Sequence, residues 1–325
     1  MASVELSLDL SQPLPTLLRE ATKKAHERAE TSSGAKLLLS GNLPKDQYIQ
    51  FLMMLWRVYD ALECALERHS THPTLEPTYN PLLLGRTAAL TSDISYLLQV
   101  PPSTWQTHPL HTSLLTSMPV QLRAYVDRIN TIADSPDPSA LLAHSYVRHL
   151  GDLSGGQIIR RVIMKAYELD EASGLGVEFY EFKEPGGSRK ASQGDMKKIK
   201  EWFREGMNIG GGRDETVKAA VVNEANLAFE FNTALFEAVE LLAGESSSES
   251  ILTSELESEE EDIVYEAPLK ATSDPQPEKV YLLASVTAFI AAACLAHFIL
   301  VVGGFTGARG HAKLLTIERW ISNIF

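Results

Sequence analysis

Arg19, Lys23, His26 and Glu30 stand at i, i+4, i+7 and i+11 of LPTLLREATKKAHERAE, which on a helix is one stripe down a single face. A histidine with a carboxylate one turn on is how metal sites hold an imidazole in orientation. Two cations on the same face suit an anionic group lying beside the helix. A solvated polar face has the same spacing, so the stripe is weak alone. AHSYVRHLGDLSGGQIIRRV, residues 143–162, is stronger. Its pattern is helical, yet Gly151, Gly155 and Gly156 each weaken a helix by about 1 kcal/mol against alanine. Gly151 and Gly155 are one turn apart, so one face is stripped of side chains. Such a face allows a kink or a close helix crossing, or it lets something flat and wide, such as a planar macrocycle, approach the backbone. Asp152 adjoins the bare patch and Arg148 precedes it by one turn. A carboxylate next to an open coordination position can orient water for proton delivery.

Two further groups have a spacing that serves a site. Lys200 and Arg204 in DMKKIKEWFREGM are i, i+4, and both cations can face one ligand or simply the solvent. Phe229, Asn232 and Phe236 form an otherwise apolar stripe with one amide in it. A buried amide needs partners, either in the core or in a polar network at a site. His144, two turns before Gly151, is an alternative metal ligand that we read as packed or hydrogen-bonded. His69, His72, His108 and His111 lie in polar or proline-flanked stretches and receive no role.

The elements that position these residues are helical. Apolar periodicity of 3.6 predicts helices over about 14–32, 44–70, 82–99, 111–133, 138–170, 191–208 and 214–243. Pro44, Pro73, Pro77, Pro81, Pro101, Pro102, Pro136, Pro138, Gly174, Gly186 and Gly210–Gly212 mark the expected connections. Asp214 is the expected N-cap of the last helix. GVEFYEF at 176–182 is strand-like but solitary. The sequence therefore predicts one all-α domain over 14–243, preceded by a flexible N-terminus at 1–13.

The charge is uneven. The chain has 29 basic and 42 acidic residues, a formal net charge of −13, but nine of the acidic ones and no Lys or Arg fall between Gly244 and Glu266. The remainder is close to neutral, which argues against general nucleic-acid binding. Residues 244–279, rich in Ser, Glu and Pro, read as a disordered linker. VYLLASVTAFIAAACLAHFILVVGGF, 280–305, has no charged side chain; at about 1.5 Å per residue it makes a helix of roughly 39 Å, enough to cross a hydrocarbon core of about 30 Å. His297 within it is an intramembrane ionisable group, read as hydrogen-bonded or tolerated. Residues 306–325 form a short amphipathic tail. The N-terminus lacks a secretory signal pattern, so the span is expected to be a tail anchor with the helical domain in the cytosol. Flanking charge, with Arg309, Lys313 and Arg319 after the span, mildly favours the reverse orientation. Cys64 and Cys294 are the only cysteines, which excludes a disulfide framework or cysteine-ligated zinc.

RHLGDLSGGQ resembles the signature of the heme oxygenases, and ATKKAHERAE resembles the segment that supplies their axial histidine. The similarity covers about residues 14–243 and implies a multi-helix domain with heme between a proximal and a distal helix, plus a C-terminal transmembrane helix. On that resemblance His26 is the axial ligand of the heme iron with Glu30 as its neighbour. Gly151, Gly155 and Gly156 let the distal helix close over the heme, and Asp152 anchors a distal water network with Arg148, Tyr59 and Asn232. Lys23, Tyr146, Lys200 and Arg204 match positions that hold the propionates, and Arg19 stands where animal members have lysine. Phe229 and Phe236 match apolar positions near the heme. The acidic linker, the triple glycine and the long tail depart from the pattern, and none touches the heme site. The implied activity is oxidative cleavage of heme, both substrate and cofactor, to biliverdin, CO and ferrous iron. It uses O₂ and electrons from NADPH through a flavoprotein cytochrome reductase, at the endoplasmic reticulum membrane. The rival is a membrane-tethered heme-binding or sensing protein without turnover, for which Asp152 has no purpose.

Overall fold

The computed structural model describes residues 9–257, with side chains as far as Leu241. Among these residues there are twelve α-helices and no strand, only one antiparallel bridge between Lys183 and Lys190. The strand-like stretch around 176–182 contains a single 3₁₀ turn, Glu178–Tyr180. The predicted span 280–305, with His297, and the tail 306–325 lie outside the described residues. No described helix is long and apolar enough to cross a membrane.

The stretch predicted as one helix over 14–32 folds as α1 (Leu14–Ala21) and α2 (Lys23–Thr31), followed by α3 (Ser33–Ser40). The break falls at Thr22, whose hydroxyl donates to the Leu18 carbonyl at 2.7 Å and so competes with helix propagation. Ser32 Oγ accepts from Ala35 N and starts α3, which ends at Gly41 with φ of 73°. The long helix α4 (Lys45–Arg68) runs through the centre. It is buried over Tyr48, Phe51, Leu52, Met53, Leu55, Val58, Tyr59 and Leu62, and it packs on α6 (Thr87–Leu98) and α8 (Val120–Ala133). The short α5 (Pro81–Leu84) and α7 (Pro109–Thr116) complete that side. Prolines open both, where a missing N–H costs nothing. Pro119 divides α7 from α8 where periodicity alone predicts continuity from 111 to 133.

The glycine-bearing segment also divides. α9 (Leu141–Asp152) stops inside the signature and α10 (Gly156–Ala166) begins after it. α11 (Gln193–Gly211) opens with a reciprocal capping box between Ser192 and Asp195. It runs straight into the glycines predicted to be a connection. The reason is close approach: a Cβ on Gly206 would lie 2.5 Å from the Pro77 carbonyl oxygen, and one on Gly210 would collide with that of Thr74. These glycines bring α11 against the 74–78 segment, and the chain turns only at Gly212.

α12 (Glu215–Glu257) is capped by Asp214 as expected, with Oδ1 accepting from Thr216 N at 2.8 Å. It continues from Gly244 to Glu257, into the segment assigned to a linker on composition. That assignment rested on the absence of burial. Extending a formed helix needs only one hydrogen bond per added residue, and Leu and Glu favour it.

Candidate functional site

Three helices meet around a small apolar cluster separate from the main core: Ala25 and Ala29 from α2, Val147 from α9, and Ala228 and Phe229 from α12, with Tyr146 against them. His26 follows Ala25 on α2 and is exposed, its ring centroid 5.6 Å from that of Phe229 in an edge-to-face arrangement. Glu30 Oε2 lies 3.6 Å from His26 Nδ1. The carboxylate stands on the Nδ1 side of the ring, and Nε2 is the nitrogen left to bind a metal.

The other wall is α9. Gly151 is exposed, and a Cβ there would meet nothing within 4 Å. Gly155 is equally open, its nearest neighbour being the Gly151 carbonyl at 3.7 Å. Both therefore present bare backbone to unfilled space, and a wide flat ligand needs that. Gly156 differs. It is buried, and a Cβ there would sit 3.2 Å from the Tyr180 ring, so its smallness serves packing beneath α10 and not the open face.

Behind the bare backbone the four polar residues expected there come together. Asp152 Oδ2 accepts from the Tyr59 hydroxyl, and Arg148 Nε donates to the same phenol oxygen at 3.4 Å. Arg148 Nη1 donates to Asn232 Oδ1, which joins α9 to α12, and Arg148 Nη2 stands 3.7 Å from Asp152 Oδ1. Tyr59 thus occupies Oδ2 and leaves Oδ1 with acceptor capacity. Burial pushes the Asp152 carboxyl up; Arg148, the Tyr59 hydrogen bond and Arg86 pull it back, and the net position stays above the ordinary value. Burial also drives the Tyr59 hydroxyl well up, so it remains a donor. For Arg148 burial acts downward, but Tyr59, Asp152 and Tyr125 outweigh it.

The expected anion-binding cations lie on α1, α2 and α11. Lys200 Nζ reaches Ser154 Oγ, between the glycines, at 3.5 Å. Tyr146 on α9 is pushed up by burial and pulled back by Thr22, Arg204 and Arg19. Arg19, Lys23 and Arg204 are exposed. Phe229 belongs to the small cluster, whereas Phe236 stacks on Phe51 at 5.8 Å and packs against the main core.

His144 is turned away from the open face. Its Nε2 lies 2.9 Å from Glu224 Oε1, and Arg128 donates to the same carboxylate from Nε at 3.0 Å and from Nη2. This trio ties α9 to α12 and α8 and removes His144 from ligand duty. Three residues near the polar group carried no sequence signal. Arg86 is buried and donates to the carbonyls of Leu83, Leu84, Phe179 and Glu181. Tyr125 sits between Arg148 and Glu224 in its electrostatic surroundings, and His149 stands behind Tyr59. None lies at a helical spacing from the glycines that singles it out.

The fold and site define an all-helical protein that sets an exposed histidine on α2 beside α9, a helix whose backbone is left bare at Gly151. The family model described as heme oxygenase matches residues 12–238. Similar curated proteins include heme oxygenase 2 of Macaca fascicularis, 35% identical over 69% of this chain and 64% of that protein. Heme oxygenase 1 of Gallus gallus is 34% identical over 73% of each. The chain thus spans just under two thirds of the macaque protein's length. Among solved structures, heme oxygenase-2 of the cyanobacterium Synechocystis in complex with heme and NO has a TM-score of 0.61 at 34% identity, covering 71% of this chain and 86% of that one. Heme oxygenase-1 of Synechocystis in complex with heme has a TM-score of 0.60 at 30% identity, covering 75% and 99%. The chain belongs to the heme oxygenase family.

Proposed function

We propose that this protein is a tail-anchored heme oxygenase that cleaves heme to biliverdin, CO and ferrous iron. The observation that carries the proposal is the buried Asp152, held by Tyr59 beside Arg148, directly behind backbone left bare by Gly151 and Gly155. Mere heme storage has no use for a polar group in that place.

The residues present fit heme, because the open face of α9 accommodates a macrocycle and an available imidazole nitrogen lies on α2. Heme supplies, when bound, both the iron that activates dioxygen and the ring that is cut. His26 Nε2 would hold the iron, with Glu30 on the Nδ1 side of the ring. Arg19, Lys23, Tyr146, Lys200 and Arg204 would bind the two propionates. Asp152 Oδ1 orients water toward the distal side and passes protons through it. Tyr59 fixes the other oxygen, and Arg148 keeps the carboxyl from swinging toward the reacting centre. Holding the carboxylate one water away from the centre limits it to delivering protons by relay. Phe229 excludes bulk water on the proximal side.

The membrane-spanning segment 280–305, the orientation of the domain toward the cytosol, the endoplasmic reticulum location and the NADPH-dependent reductase belong to the same proposal. They are supported by the apolar run in the sequence and by the family relationship. The test loads the protein with hemin and supplies a reductase, NADPH, O₂ and catalase. Loss of the Soret band with growth of biliverdin absorbance, and CO trapped by a reporter globin, is the expected result. A stable heme spectrum under several competent reductases would instead establish the heme-binding rival.

A further inference from the structure

His149 is the one histidine of the glycine signature, and the reaction outlined above leaves it without a task. It is buried on the side of α9 away from the open face, its ring 6.0 Å from that of Tyr59 and 6.2 Å from that of Phe203. Its Nδ1 has no hydrogen-bond partner on the protein. The cations that face it spend their N–H groups elsewhere. Arg86 donates to four main-chain carbonyls, and Arg148 serves Tyr59, Asn232 and Asp152. The Tyr59 hydroxyl donates its hydrogen bond to Asp152. An unpartnered buried nitrogen is costly, and a phenyl ring of the same shape would fill the place without that cost. An internal water is the kind of donor such a nitrogen takes.

We propose that His149 is a positioning residue for the Tyr59–Asp152 pair, holding through Nδ1 a buried water against the phenol. This inference rests on the heme oxygenase reading and adds to it an inner support for the distal network. The imidazole acts as an acceptor and not as a base. Burial, with Arg86 and Arg148 close by, presses it down to about 3, so it stays neutral through the working range. Neutrality matters because a third positive charge beside Arg86 and Arg148 would pull the Asp152 carboxyl down against the push of burial. With the water in place the phenol is fixed from behind, and its hydroxyl points at Oδ2.

The test uses full-length protein in detergent with His149→Phe and His149→Asn. Phenylalanine keeps the ring and loses Nδ1; the asparagine amide oxygen falls close to the Nδ1 position and loses packing. The expected result is a crossed pattern. His149→Phe melts at or above the wild-type temperature, yet the pH midpoint of the ferric heme complex's visible spectrum moves by about half a unit or more. In the same variant biliverdin formed per heme consumed falls. His149→Asn melts lower but keeps the wild-type midpoint. In the heme-free protein, ¹⁵N spectra of labelled histidine show the His149 ring neutral with Nδ1 accepting between pH 5 and 9. A phenylalanine variant with unchanged midpoint and product yield overturns the inference, as does a ring that protonates in that range. A wild-type protein that binds heme but never consumes it overturns the proposed function instead, and the apo ¹⁵N result still decides the role of His149.

Discussion

Glu224→Gln tests the clamp that sets α9 against α12. Glu224 is 3% exposed and His144 is fully buried, so both sit in the interior while Arg128 reaches partly into water. Burial pushes the Glu224 carboxyl up, but the hydrogen bonds from Arg128 and His144 more than reverse this and bring it from 4.5 to about 2. At 1.36 kcal/mol per unit that corresponds to about 3 kcal/mol, and the exposure of Arg128 argues for the range of about 2–3. Glutamine keeps the shape and loses the charge. A domain of this size loses about 2–4 °C per kcal/mol, so Glu224→Gln should melt roughly 5–10 °C below wild type at pH 7. The folded value is depressed, so the stabilisation is fully present above the unfolded value of about 4.5 and is lost as pH falls through the folded one. The gap between wild type and variant should therefore hold from pH 7 to 5 and shrink by about half or more by pH 3. The assay is circular dichroism at 222 nm on heme-free protein at each pH. A variant within 2 °C of wild type at pH 7, or a gap that persists undiminished at pH 3, would refute the assignment of this stability to the ionised carboxylate.

Gly151→Leu should separate stability from binding. The added side chain meets nothing in the heme-free fold and improves helix propensity by about 1 kcal/mol, so melting stays level or rises while heme affinity, read by Soret titration, drops roughly tenfold or more. Asp152→Ala should still bind heme but lower the rate of biliverdin formation by roughly tenfold or more, and unchanged turnover would remove Asp152 from proton delivery. Gly210→Ala places a methyl group against the Thr74 carbonyl and should lower stability by about 1–3 kcal/mol, measured by urea unfolding, with heme affinity little changed.

The helical class and the paired motifs were legible because both follow from spacing. His26–Glu30 and Gly151–Gly155 each lie one turn apart, and each pair keeps that relation in the structure. Periodicity failed where a helix is cut without loss of amphipathic phase. Thr22 interrupts α1 and α2 through its own hydroxyl, and α9 passes into α10 with the apolar face continuing across the glycines. Glycine was misleading in α11, since a glycine required by a neighbouring chain looks in sequence like one required by a turn. Arg86 was out of reach for a different reason. Its partners are main-chain carbonyls as far away as Glu181, and carbonyls have no signature in a sequence.

The two walls of the site are built on opposite principles, and this division suits the proposed reaction, in which a ligand enters and is then consumed in place. The proximal side is thin: α2 rests on a few small side chains, Ala25 and Ala29 among them, and His26 is exposed. Little buried area holds that helix, so adjusting it around an incoming macrocycle costs little. The distal side is over-determined. Arg148 is engaged by Tyr59, Asp152 and Asn232 at once, and one turn earlier on the same helix His144 is locked to Glu224. A proton relay tolerates displacements of only a few tenths of an ångström, because a hydrogen bond fails when its geometry is lost. The rigid polar scaffold therefore belongs on the wall that handles protons, and the pliable apolar one on the wall that receives the ring. α9 joins the two functions by carrying bare backbone on one face and the polar network on the other.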